Sequence, residues 1–253
     1  MFIIFIIGTA GSGKSLLTSS FLEWLRSQKQ DAISLNLDPG ALTLPYTPDI
    51  DVRERISIEN IMEKYGLGPN GALIMAADLI ADEAAELGKE IEALNPDVVL
   101  VDTPGQMELF AFRVSGPYIA SELTKEPKAI IYLFDSVFSL DPLNYISNMF
   151  LSTAVYTRFF LPQVHVLSKC DLISREDLEK ILSWSENLPD LEAAIDERLR
   201  GDRRLLSHGV LSVIHRLGLN FELIPVSAKT NEGMINLNAA LERVFTGGER
   251  FVY

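Results

Sequence analysis

Six short runs of nearly continuous apolar residues punctuate the chain: Phe2–Ile7, Ala32–Leu37, Val98–Val101, Ala129–Phe134, Gln163–Leu167 and Phe221–Val226. Between most of them, apolar residues recur at helical spacing, as in Leu16, Leu17, Phe21, Trp24 and Leu25 behind the first run. A strand that is apolar along its whole length needs cover on both faces. Strands of this kind alternating with helices indicate a parallel sheet between two helical layers. The pattern fills the chain, so residues 1–253 are expected to form a single α/β domain.

Local signals mark several element ends. Ser57 is placed to cap a short helix that stops at Gly66. Asp141-Pro142 sets a cap residue before a proline at the first helical position, and Pro162 follows that helix. Ser174 and Asp177 form a capping-box-like start to a helix through Trp184. The stretch Asp190–Leu217, interrupted by Gly201 and Gly209, predicts two or more helices, giving a helical insertion at about 174–217 before the last strand. Such an insertion serves either as a lid or as a packing subdomain. Pro39–Asp51 is expected to be loop. Gly68-Pro69-Asn70-Gly71 has the composition of a β-turn, with Asn70 placed to cap the long helix over Ala72–Leu94.

Composition narrows the function classes. A hydrophobic fraction of 47% and a charged fraction of 23% suit a globular protein with a real core. A net charge of −13 leaves no basic surplus to neutralise phosphates, so no direct nucleic-acid partner is expected. Met1–Ile7 is too short to span a membrane and lacks the features of a secretory signal. No membrane association and a cytoplasmic location are therefore expected. Cys170 stands alone, which excludes an intrachain disulfide. His165, His208 and His215 are scattered and read as surface or packing residues.

The chemistry begins where the first apolar run ends. Gly8-Thr9-Ala10-Gly11-Ser12-Gly13-Lys14-Ser15 follows a strand and opens a helix, with Leu16 next in line. Glycines there let successive backbone N–H groups face an anion, and the helix N-terminus adds a favourable dipole. Lys14 is placed to reach the β- and γ-phosphates of a nucleoside triphosphate, and the Ser15 hydroxyl to ligate Mg²⁺. Asp102, ending the third apolar run, is a candidate for the Mg²⁺ shell; Gly105 offers an N–H to the γ-phosphate, and Gln106 is placed to orient water. Asp38, ending the second run, is a candidate metal-shell or water-positioning group, with a plain cap as its alternative. Glu108 is a weaker candidate in the same switch.

Ser168-Lys169-Cys170-Asp171 follows the fifth run. A carboxylate at Asp171 matches the N1–H and 2-amino donors of guanine, and the Lys169 stem can lie along a base plane. Ser227-Ala228-Lys229 after the last run fits a loop that touches the base edge. The motif usually begins with Asn or Thr, and Ser168 is shorter, which places the bracing of this loop in question.

In this order along the whole chain, these pieces resemble the GPN-loop GTPases of archaea and eukaryotes, in which Gly68-Pro69-Asn70 corresponds to the namesake loop. The resemblance implies a mostly parallel P-loop NTPase sheet with helices on both faces, GTP/GDP and Mg²⁺ as ligands, and a homodimer. It implies further that Asn70 reaches the phosphate end of the partner's site, where other GTPases use an arginine; Arg53 and Arg55 are the alternative fingers. A protein client is implied by the family's part in RNA polymerase II assembly, and the apolar segment Met107–Phe112 is either its dock or internal packing. Two rivals remain on the same scaffold. One is a phosphotransferase whose lid draws on Arg198, Arg200, Arg203 and Arg204; the other is a nucleotide-gated scaffold with negligible turnover.

Overall fold

A computed structural model describes residues 1–216 and 221–247. The apolar runs become strands β1 (Phe2–Gly8), β2 (Ala32–Asn36), β4 (Val98–Asp102), β5 (Lys128–Asp135), β6 (Gln163–Ser168) and β7 (Leu223–Pro225), with a two-residue β3 (Ile50–Asp51) at one edge. They form a seven-stranded sheet in the order β3-β2-β4-β1-β5-β6-β7, and every pairing is parallel. β1 lies at the centre, with Ile6 opposite Asp102 of β4 and Gly8 opposite Leu133 of β5. All the motifs therefore lie beyond the carboxyl edge of one sheet.

Alternate residues of the central strands feed two cores. Ile4, Ile6, Leu100 and Ile131 pack with α1 (Lys14–Ser27) and α10 (Met234–Thr246) on one face. Ile3, Phe5, Ile7, Val99 and Tyr132 pack on the other. That second face is covered by α2 (Ile58–Tyr65), α3 (Pro69–Leu94), α4 (Met107–Phe110), α5 (Ser115–Glu122) and α6 (Pro142–Phe159). Cover on both faces is what lets strands without polar alternation exist in water.

The insertion forms α7 (Arg175–Glu186), α8 (Leu188–Arg198) and α9 (Asp202–Arg216), between β6 and β7 as expected. It belongs to the main core: Ile181, Trp184, Leu191, Ile195 and Leu211 are buried there, and Trp184 lies 5.8 Å from the Tyr145 ring of α6. Its apolar face is thus packing for that core. Its expected end at Leu217 lies outside the described residues, as do the side chains of Arg203 and His215.

The caps at Ser57, Asp141 and Ser174 form as the sequence predicts, each side chain accepting a backbone N–H of the first turn. Three local expectations are corrected. Pro39–Asp51 is not all loop, because Ile50 and Asp51 pair with Leu35 and Asn36; two residues carry too little pattern to signal a strand. Gly209 does not interrupt α9, since one glycine costs only ~1 kcal/mol and Leu211 and Ile214 beyond it are buried. Asn70 is neither a turn residue nor a cap. Helix α3 already begins at Pro69, with Gly68 as the N-cap and Ala72 N–H donating to the Gly68 carbonyl at 2.9 Å. Proline at the first helical position has no N–H to leave unsatisfied, so the helix starts one turn early.

Candidate functional site

Between β1 and α1 the chain turns through Gly11 and Gly13, at φ +76° and +95°. Both lie in the left-handed region that glycine enters without penalty. No side chain caps α1, so the N–H groups of its first turn, at Lys14, Ser15 and Leu16, face outward for a ligand. The Lys14 ammonium is folded back. It donates to the carbonyls of Gly8 at 3.0 Å, Thr9 at 3.1 Å and Gly105 at 3.1 Å, which uses all three of its hydrogens. Burial lowers its pKa, while the carboxylates of Asp102, Asp38 and Glu108 oppose that shift.

Asp38 holds Gly105, and Asp102 ends the neighbouring strand β4. Asp38 Oδ2 accepts the Gly105 N–H at 2.8 Å and its Oδ1 accepts Gly40 N–H at 2.9 Å. The amide expected to meet a γ-phosphate thus meets a carboxylate of the chain itself. Asn36, fully buried on β2, holds Asp38 in place by accepting its N–H at 3.0 Å and donating to its carbonyl at 3.2 Å. Gly40 lies against α3: a Cβ on it would stand 2.8 Å from Leu73 Cδ2, so the Leu73 side chain would have to shift to admit one. Asp102 is buried, and burial pushes its carboxyl up to about 6 against the opposing pull of Ser15, Tyr46 and Lys14. Tyr46 Oη donates to Asp102 Oδ2 at 3.0 Å. Ser15 is close enough to lower the pKa, yet no hydrogen bond of ordinary geometry reaches Oδ1. Gln106 and Glu108 are exposed at the start of α4.

On β6, the single Ser168 hydroxyl hydrogen is shared between the carbonyls of Ser12, at 2.8 Å, and Phe134, at 3.1 Å. The short hydroxyl therefore does brace this loop against the phosphate loop. Lys169 is held at φ +60° and its ammonium bridges Gly11 O and Asp135 Oδ2, the latter at 2.6 Å. Its stem crosses the loop, with Cε 3.7 Å from where a Gly13 Cβ would be. Ser227 Oγ donates to Asp171 Oδ1 at 2.7 Å and accepts Thr230 N–H. Asp171 and Lys229 are exposed, and the Ala228 carbonyl receives Ser20 Oγ of α1 at 2.6 Å.

The structure thus gathers Gly11, Ser12, Gly13, Lys14, Ser15, Leu16, Asp38, Asp102, Gly105, Gln106, Lys169, Asp171 and Ser227–Lys229 along one sheet edge. No contact joins Asn70 to them: its side chain is exposed in the first turn of α3, with no side-chain hydrogen bond among the described residues. Arg53 pairs with Asp51 at 2.6 Å and donates to the Ala41 carbonyl, and Arg55 pairs with Glu83 and Glu90. Arg198 is tied to Asp141, and Arg200 and Arg204 to the Asp196 region. Met107, Phe110 and Ala111 are buried, with Phe110 stacked between Phe5 and Phe159, so half of the segment Met107–Phe112 is internal packing, while Phe112 is exposed. Asn36, Tyr46 and Asp135 escaped the sequence reading. Asn36 and Asp135 each neighbour a strand-end signal, whereas Tyr46 lies in a proline-rich loop without one.

A family model described as "Conserved hypothetical ATP binding protein" matches residues 6–247. A GPN-loop GTPase of Pyrococcus abyssi is 33% identical over 252 residues, covering 98% of this chain and 99% of the relative. GPN-loop GTPase 1 of Saccharomyces cerevisiae is 31% identical over 242 residues, and the match covers 91% of this chain but 62% of that longer protein. The apo crystal structure of the Pyrococcus abyssi GTPase superposes with a TM-score of 0.86 at 31% identity, covering 96% of this chain and 97% of that one.

Proposed function

The chain belongs to the GPN-loop GTPase family, and from that premise we propose that it hydrolyses GTP to GDP and phosphate as a Mg²⁺-dependent homodimer. The observation that carries the reading is Asp171, exposed and aligned by Ser227 beside the braced Lys169 stem. One carboxylate presented there accepts the two donors of guanine; adenine has none to offer in that position and would leave the carboxylate unpaired. That chemistry favours GTP over the ATP of the family model's description. Gly11, Ser12, Gly13, Lys14, Ser15 and Leu16 hold the phosphates, and Gly105 N–H is released from Asp38 to the γ-phosphate. The Ala228 and Lys229 backbone lies along the base edge.

The residues fit a magnesium ion. Asp102 Oδ1 is a buried carboxylate oxygen with no partner, Ser15 lies beside it and Asp38 holds Gly105, an all-oxygen set suited to a hard cation. When bound, Mg²⁺ supplies positive charge to the β- and γ-phosphate oxygens. Gln106 and Asp38 orient the attacking water, whose oxygen bonds to the γ-phosphorus as the β–γ bridge breaks.

Asn70 of the partner subunit donates its amide to the phosphate end in this reading. Its exposure without an internal partner supports that role over a helix-capping one. A protein client, as in RNA polymerase assembly, completes the proposal. Arg198, Arg200, Arg204 and Arg53 are engaged in ion pairs and carbonyl bonds, which speaks against their serving a phosphotransferase lid or a finger in cis. The test is phosphate release from GTP by wild type and Asn70→Ala, with melting temperature and GTP affinity measured on both. Turnover should collapse by about 100-fold with affinity and melting point retained. Unchanged turnover would remove Asn70 from the chemistry.

A further inference from the structure

Tyr46 belongs to none of the nucleotide motifs, yet its hydroxyl reaches the most deeply buried acid of the site. Its Oη donates to Asp102 Oδ2 at 3.0 Å, while Asp102 has no solvent exposure and its Oδ1 has no hydrogen-bond partner. An unpaired buried carboxylate oxygen is rare and costly, and it calls for a group that will satisfy it. The side chain of Tyr46 is half-buried, and the stretch leading into it is anchored at two carbonyls. Ser19 of α1 donates to the Pro45 carbonyl at 3.3 Å, and Arg53 donates to the Ala41 carbonyl at 2.7 Å while paired with Asp51.

We infer that Tyr46 is a positioning residue for the cation site: its phenol holds Asp102 by Oδ2, which leaves the unpartnered Oδ1 as the oxygen that would serve Mg²⁺. The inference rests on the Mg²⁺-nucleotide reading given above. The physical case is one of division of labour between two oxygens. A carboxylate free to rotate would offer either oxygen and turn toward the Lys14 ammonium, whose charge acts on it. A neutral donor on Oδ2 fixes the rotation without cancelling the negative charge that a cation requires. The phenol suits this better than an amine, which would bring a competing positive charge.

The experiment compares wild type, Tyr46→Phe, Asp102→Asn and the double variant by fluorescence binding of an N-methylanthraniloyl GDP, titrated with Mg²⁺ and separately in EDTA. Melting temperatures are recorded alongside. Tyr46→Phe should need about ten-fold more Mg²⁺ for half-maximal effect on nucleotide affinity, with EDTA affinity and melting point unchanged and excess Mg²⁺ restoring wild-type binding. In the Asp102→Asn background it should add nothing. Wild-type Mg²⁺ dependence in Tyr46→Phe, or an equal loss with and without metal, overturns the assignment. So does tighter Mg²⁺ binding, which would make Tyr46 an occluding group. A wild type whose nucleotide affinity ignores Mg²⁺ would instead overturn the metal reading itself.

Discussion

At the base end of the site, Asp171 receives Ser227 at one oxygen and presents the rest of its carboxylate to solvent, while Ser168 and Lys169 are braced on the phosphate loop. At the phosphate end, Lys14, Asp38 and Tyr46 spend their hydrogen bonds on the chain itself, on the carbonyls of Gly8, Thr9 and Gly105, on Gly105 N–H and on Asp102. A ligand adds to the first region without displacing anything. In the second, the proposed phosphate contacts would replace protein contacts, so that reading couples binding there to movement of the Asp38 and Gly105 loops. On the proposed reading, the same sheet edge carries a rigid reader of the base and a responsive end that would tell GTP from GDP.

Replacement of Lys14 attacks the exchanging end at its centre. Lys14→Ala should abolish measurable GTP turnover, a loss of at least about 10³-fold by phosphate release. It should also lower the melting temperature, because three loop carbonyls lose their donor. A Lys14→Ala protein with wild-type turnover would show that the folded-back ammonium is purely structural. At the base end, Asp171→Asn should lower GTP affinity by roughly 10²–10⁴-fold and raise affinity for xanthosine nucleotides, read by competition binding. Retained GTP preference would place the base elsewhere.

Smaller effects sharpen the contrast. Asp38→Ala frees Gly105 N–H and should shift the ratio of GTP to GDP affinity by about ten-fold while leaving guanine preference intact; a shift in base preference would mean that the two ends are coupled. Ser168→Ala should cost ~1–2 kcal/mol in urea melts and weaken GTP and GDP equally, since it loosens a brace shared by both. The mildest concerns Cys170. Burial pushes its thiol up to about 11, so the thiolate fraction is near ~10⁻³ at pH 8 and grows as pH rises toward that value. Alkylation by iodoacetamide should be correspondingly slow in the native protein and reach the rate of a free thiol on unfolding.

The sequence by itself determined the parallel sheet, the two-layer cover, the position of the helical insertion and the phosphate loop, because each rests on chemistry within a few residues. An apolar run needs burial, a glycine permits positive φ, and Ser57, Asp141 and Ser174 cap their own helices. It also placed Asp38, Asp102, Lys169 and Asp171 at the ends of strands, which the sheet then brings to one edge. What only the tertiary structure decided are the contacts between residues far apart in sequence. Tyr46 meets Asp102 across 56 positions, Ser168 meets Ser12 across 156, and Asp38 meets Gly105 across 67. Local pattern carries no trace of such pairings, since they depend on which strand ends the sheet order sets side by side. Asn70 shows the limit from the other direction. Its turn composition was legible, but Pro69 and the packing of α3 converted the turn into the first turn of a helix and left the amide facing outward.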